Sequence, residues 1–140
     1  MAYNRDELAA VTMLTVKDIE YNFTEAKVIK VYDGDTFTIA AYYDNAFRKF
    51  SVRLYGVDCP EMRGPHKDRA VAARNFVADL ILDKVVTISV YNNKKINGKK
   101  MVEKFGRLLA DVHVGDKLLS QLLYENGHAV KYYGGKKEEE

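Results

Sequence analysis

The sequence predicts an α+β domain built on a small five-stranded β-barrel. Two observations carry this. Three runs of alternating apolar and polar residues follow one another between residues 26 and 56, separated only by tight turns, and strand-like runs return twice after residue 84. Before and after those later runs the apolar spacing changes from two to three and four, over residues 66–83 and again after Gly115. Three strands, a helix, two strands and a helix is the layout of a barrel of the oligonucleotide-binding type (OB-fold). A length of 140 residues allows one such core and sets one domain as the default.

Residues 1–25 read as an N-terminal extension without a single period. Leu8, Val11, Leu14 and Ile19 fit an amphipathic helix, whereas Thr12, Thr15 and Val16 fit a strand, and both stay open. The domain proper is expected over residues 26–133. AKVIKVYD (26–33) alternates like a half-buried strand, and Asp33-Gly34-Asp35-Thr36 reads as a turn with Gly34 free to take positive φ. FTIAAYY (37–43) is the second strand and Asp44-Asn45-Ala46 a hairpin turn. FRKFSVRLYG (47–56) is the third, with Arg53 on the face opposite Val52 and Leu54. Pro60 and Pro65 belong to a loop. Ala70, Val71, Ala73, Phe76, Val77, Leu80 and Ile81 then recur at helical spacing. KVVTISVY (84–91) and FGRLLADVHV (105–114) are the fourth and fifth strands. A last helix carries Leu118, Leu119, Leu122 and Leu123 on one face, with Asp116 as its N-cap and Gly127 as its stop. A short segment, AVKYY, follows, and residues 134–140 read as a disordered charged tail.

Composition excludes several classes. Cys59 is the sole cysteine, so no internal disulfide forms. His66, His113 and His128 lie far apart without zinc-ligand spacing. No apolar run approaches the roughly 20 residues of a membrane span, and the N-terminus lacks the order of a signal peptide. A cytoplasmic location is therefore favoured over secretion. The net charge of +2 says little by itself, but residues 92–107 carry Lys94, Lys95, Lys99, Lys100, Lys104 and Arg107 against Glu103 alone. That segment is either a solvated lysine loop or a rim that attracts a polyanion.

The stretch Arg53–Gly64, RLYGVDCPEMRG, sets both signs of charge where an apolar strand runs out. In a meander, Asp35 at the start of one strand and Asp58 past the end of another approach each other. Two carboxylates with nearby carbonyl oxygens suit a hard cation, calcium or magnesium. Against this, DGD is an ordinary turn and an Asp before Cys-Pro an ordinary cap. Arg53 and Arg107 offer planar guanidinium groups that hold two phosphate oxygens at once, although a single arginine is usually a solvated surface residue. Glu61, three residues past Asp58, has the reach to take a proton from a water molecule. It also reads as an exposed loop glutamate.

The segments VYDGDTFTI, VRLYGVDCPE and KFGRLLADV, in this order, closely resemble the staphylococcal nuclease (thermonuclease) family. The resemblance runs from about Ala26 to Tyr133, with Arg-x4-Asp-x2-Glu intact between an upstream DGDT and a downstream Gly-Arg. It implies an OB-fold barrel with about three helices and a calcium-dependent, sugar-nonspecific nuclease that hydrolyses DNA and RNA to leave 3′-phosphate ends. It further implies that Asp35 and Asp58 ligate calcium together with the backbone carbonyl of Cys59, and that Asp33 is a neighbour of the ion. Arg53 and Arg107 would contact phosphate and Glu61 would be the general base. Lys104, Phe105 and Tyr133 would bind substrate, with Tyr132 a rival for the last position. Cys59 stands where the family often has threonine, and Phe105 where a tyrosine is common, so one hydroxyl contact is lost while base stacking survives. The hairpin around Asp44 is slightly longer than the family's.

The expected substrates are DNA and RNA, preferably single-stranded, with no membrane partner and a monomer favoured. The alternative is a catalytically inactive barrel that binds single-stranded nucleic acid or a protein partner. All five of Asp35, Arg53, Asp58, Glu61 and Arg107 are present, which favours the enzyme. A cysteine hydrolase built on Cys59 lacks a histidine placed to activate the thiol.

Overall fold

The computed structural model describes residues 3–133, so the tail expected over 134–140 lies outside the described residues. Strands β1 (Glu25–Asp33), β2 (Thr36–Tyr43) and β3 (Ala46–Leu54) form the predicted antiparallel meander. Its hairpin turns on Asp44 and Asn45, both at positive φ (51° and 63°), as a two-residue turn between twisted strands requires. Phe37, Ile39 and Ala41 alternate inward along β2. In β1 the alternation breaks, because a register shift between Val28 and Lys30 lets Val28 and Val31, three apart, both face the core.

β3 ends at Leu54. Gly56, at φ 87°, then swings the chain into β4 (Val57–Asp58), which pairs with the terminal β10 (Val130–Lys131). Helix α2 (Lys67–Ile81) buries Ala70, Ala73, Val77 and Ile81, the three-and-four stripe read from the sequence. β5 (Val85–Val90) pairs antiparallel with both β1 and β8 (Leu108–Val114). β8 in turn pairs parallel with β3, Val52 opposite Leu108 and Leu54 opposite Ala110. That contact closes a mixed five-stranded barrel of β1, β2, β3, β5 and β8. With three helices among the described residues it is the α+β, OB-fold architecture that the sequence predicts.

Other elements differ from expectation for physical reasons. The basic segment contains a small hairpin, β6 (Lys95–Ile96) and β7 (Lys99–Lys100), turned on Asn97 and Gly98 at positive φ. Asp116 does not cap the last helix. β9 (Lys117–Leu118) intervenes, and α3 (Leu119–Glu125) starts from Leu118 without a side-chain cap of its own. Asp111 of β8, fully buried, reaches across instead and accepts from the Ser120 backbone N–H and hydroxyl and from the Val112 N–H. Gly127, at φ 75°, follows the helix as expected.

The N-terminal segment is neither a long helix nor a strand. α1 spans only Arg5–Ala9, capped by the Asn4 side chain, and buries nothing; Leu14 is 97% exposed. Tyr21 and Phe23 anchor the segment by packing with Phe50 and Tyr43, the Phe23 and Phe50 rings stacked at 5.4 Å.

Candidate active site

The turn between β1 and β2 resolves the two readings of Asp33-Gly34-Asp35. Asp33 makes the turn, its Oδ1 accepting from the Asp35 N–H at 3.2 Å. Asp35 points inward and is only 6% exposed. Gly34 is needed for space, since its φ is not positive. A Cβ there would stand 2.7 Å from Cys59 Sγ and 3.0 Å from Ala73 Cβ. The close approach seats the turn against α2 and the β4 exit, which brings Asp35 to the Cys59 N–H at 2.8 Å.

Arg53 is the hub. Its Nη1 donates to the carbonyls of Leu54 (2.8 Å) and Val57 (2.9 Å) and lies 3.4 Å from Asp35 Oδ2. Its Nη2 donates to Asp58 Oδ1 at 3.3 Å. The guanidinium is thus fixed by its own strand end and by both carboxylates. Register explains the meeting: Thr36 sits opposite Arg53 across β2 and β3, which places Asp35 beside the end of β3. Burial raises the Asp35 carboxyl to about 6, an effect that Arg53 opposes and Asp33 reinforces.

Arg107 approaches from the turn before β8, the strand paired with β3. Gly106, at φ 78°, turns the chain so that Glu103 and Arg107 form a forked pair, Nε to Oε1 and Nη2 to Oε2, both at 3.1 Å. Glu103 Oε1 also accepts from the Phe105 and Arg107 N–H groups. Burial pushes the Glu103 carboxyl up, but these bonds outweigh it and hold its pKa below the ordinary value. In the sequence Glu103 stands as the lone acid of a basic segment; the signal of its role is an acid four residues before an arginine across a glycine turn.

Asp35, Arg53, Asp58, Glu61 and Arg107 line one cleft of about 280 Å³. It opens into a larger groove of about 720 Å³ that again includes Arg53, Asp58, Glu61 and Arg107, and adds Lys104, Phe105, Tyr132 and Tyr133. The structure therefore brings together every predicted site residue. Phe105 is 73% exposed, with Lys104 Nζ 5.1 Å and the Arg107 guanidinium 5.6 Å from its ring centre. Tyr133 packs edge-on to Tyr55 and against Gly56, while Tyr132 is half-buried and its N–H bonds the Gly56 carbonyl. Tyr55, at the end of the β3 run, is a groove residue that sequence reasoning did not assign.

The donor set fits a hard cation. Two carboxylates converge on the hub, and the thiol of Cys59 is turned away against Gly34. Among the described residues no three or more His, Cys, Asp or Glu are placed to hold a metal ion together, so further ligands would be carbonyl oxygens and water, a set that calcium accepts. Cys59 is buried, and burial followed by the Asp35 charge pushes its thiol far above the ordinary value, which disfavours a thiolate nucleophile.

The closed OB-fold barrel thus sets paired carboxylates, two arginines and a glutamate at one cleft. The model of the family described as staphylococcal nuclease homologue matches residues 51–140, more than half of the chain, and the chain belongs to that family. Curated relatives in Oryza sativa subsp. japonica include "Probable staphylococcal-like nuclease CAN3", 30% identical over 82 residues, which cover 59% of this chain and 19% of that protein. CAN2 is 29% identical over 82 residues with the same coverage. CAN4 is 30% identical over 82 residues, 14% of its length. The chain thus spans a fifth or less of the length of these relatives. No helix among the described residues is long and apolar enough to cross a membrane.

Proposed function

We propose that this chain is a calcium-dependent, sugar-nonspecific nuclease that hydrolyses phosphodiester bonds of DNA and RNA and leaves 3′-phosphate ends. The observation that carries the reading is the convergence of Asp35 and Asp58 on the Arg53 guanidinium, at 3.4 and 3.3 Å, in a cleft shared with Glu61 and Arg107. Asp35, Asp58 and the Cys59 carbonyl would hold calcium, which when bound supplies positive charge to the scissile phosphate. Glu61 is exposed at the cleft and takes the proton of a water that attacks phosphorus. The P–O5′ bond breaks, the 5′-oxygen takes a proton from solvent, and the phosphate stays on the 3′-oxygen. Arg53 and Arg107 hold the non-bridging oxygens as negative charge builds. The hub is fixed before substrate arrives, so little reorganisation accompanies the reaction. Lys104, Phe105 and Tyr133 line the groove for phosphate and base, which favours single strands because stacked bases must splay to reach an aromatic face.

The test is Glu61→Gln. The side chain is exposed, so the fold persists, and cleavage should fall by orders of magnitude. Normal cutting by this variant would remove Glu61 from the mechanism. Arg107→Ala should also abolish cutting, but it leaves Glu103, with a side chain only 7% exposed, without its partner, so its stability must be measured alongside.

A further inference from the structure

A second cleft, of about 450 Å³, lies beyond the groove just described and shares Tyr55, Gly56 and Tyr133 with it. Tyr55 is the dividing ring: its centroid lies 5.5 Å from Tyr133 on one side and 5.3 Å from Tyr91 on the other, both at 62°. Tyr124 lines the far wall, and Lys131 Nζ sits 4.8 Å from its ring centre. The buried Asp111 also lines the cleft, its oxygens already engaged by Ser120 and Val112. Of the rim acids, Glu125 is paired with Lys117 at 2.9 Å and with Gln121 at 3.0 Å. Lys131 is thus a cation placed over an aromatic wall, beside an acid whose charge is matched.

None of these residues lines the cleft of Asp35 and Arg53, and apart from Tyr55, Gly56 and Tyr133 none lines the groove. A tyrosine-lined recess with a cation at its edge, continuous with a phosphate-binding groove, is suited to a planar ring that carries a backbone phosphate. We infer that the Tyr55–Tyr91–Tyr124 cleft is an additional nucleobase subsite, which takes a base of the same strand whose scissile phosphate lies at Arg53 and Arg107, with Lys131 on the adjoining phosphate. This rests on the nuclease reading and extends it: the protein grips a strand beyond the bond it cuts, by stacking and without base-edge readout. Burial, then Asp111 and Tyr55, hold the Tyr91 phenol above its ordinary pKa, so its hydroxyl stays a neutral donor at the cleft.

The test is a length series. Fluorescein-labelled oligothymidylates of two, four, six and eight nucleotides are bound in EDTA, where no cutting occurs, and read by anisotropy. Affinity should rise by about tenfold at the length that first reaches the cleft, the size of one added stacking contact. Tyr124→Leu, at a surface position 42% exposed, should collapse the ratio between long and short strands toward one. Calcium-dependent cutting is assayed in parallel. A step lost in Tyr124→Leu supports the subsite, whether or not cutting is seen, whereas absent cutting counts against the nuclease reading alone. No length step, or a step that survives Tyr124→Leu, overturns the subsite and leaves the nuclease reading standing wherever cutting is intact. No binding at any length overturns the subsite, and the nuclease reading falls with it only where cutting is also absent.

Discussion

Asp35 should make the cation-free protein less stable at neutral pH than in mild acid, and Asp35→Asn should remove that trend. The unfolded carboxyl ionises near 3.8, whereas the folded one keeps its proton to about 6, with burial as the main cause. Between these values the folded protein binds more protons, so stability falls as pH rises and levels off above the folded value. The contribution is fully present below 3.8 and lost through 6. At about 1.4 kcal/mol for each pH unit between the two values, the loss is about 3 kcal/mol. Asn retains an acceptor for the Cys59 N–H and leaves Arg53 its Leu54, Val57 and Asp58 partners, so the fold has what it needs. The chain lacks tryptophan, so urea unfolding in EDTA is followed by far-ultraviolet circular dichroism at pH 4 and pH 7. Between pH 4 and pH 7 the stability difference between wild type and variant should move by about 2 kcal/mol in favour of the variant, since part of the full change lies below pH 4. A difference that does not change with pH would refute the reasoning. Calcium at a hundredfold excess over its dissociation constant should restore about 2.7 kcal/mol to the wild type at pH 7.

Gly34→Ala should destabilise by about 1–3 kcal/mol through overpacking. Adding Cys59→Ala removes the 2.7 Å contact but not the one with Ala73, so the double variant should lose less in urea titration than the sum of the singles. Strict additivity would place the clash elsewhere. Glu103→Ala should lower cutting by about tenfold or more by releasing Arg107 from its forked geometry, with Glu103→Gln milder because the amide oxygen still accepts from the backbone. Equal losses in steady-state kinetics would contradict a positioning role. Replacing Lys94, Lys95 and Lys99 of the basic hairpin by Gln should reduce the salt slope of single-strand binding by about two if all three contact phosphate. Lys100 is spared because Asp18 holds it at 2.6 Å. An unchanged slope would make the hairpin a solvated loop.

What the sequence displays is local. β2 shows its period because Phe37, Ile39 and Ala41 face the core while their neighbours do not, and α2 shows its stripe for the same reason. The left-handed Asp44-Asn45 turn is legible because few residue pairs tolerate that backbone. What stays hidden depends on partners distant in the chain. The parallel pairing of β3 with β8 closes the barrel but leaves no trace in either strand's pattern. Asp111 caps α3 from another strand, so the local candidate Asp116 misleads. Gly34 carries a turn signal, yet it is required because Cys59 and Ala73 crowd it. The candidate site residues are legible through their ordered motifs and the Glu103–Arg107 pair through its spacing, but the place of Tyr55 between Tyr91 and Tyr133 arises only from chain placement.

Whether this cleft cuts nucleic acid with calcium is tested with labelled single-stranded DNA and a matching RNA. Each is incubated with calcium or with EDTA, wild type beside Glu61→Gln, and the product ends are analysed. Calcium-dependent cutting of both substrates to 3′-phosphate ends is expected, lost in EDTA and reduced by orders of magnitude in the variant. Strand binding without cutting would contradict it, leaving a binding module on the same barrel.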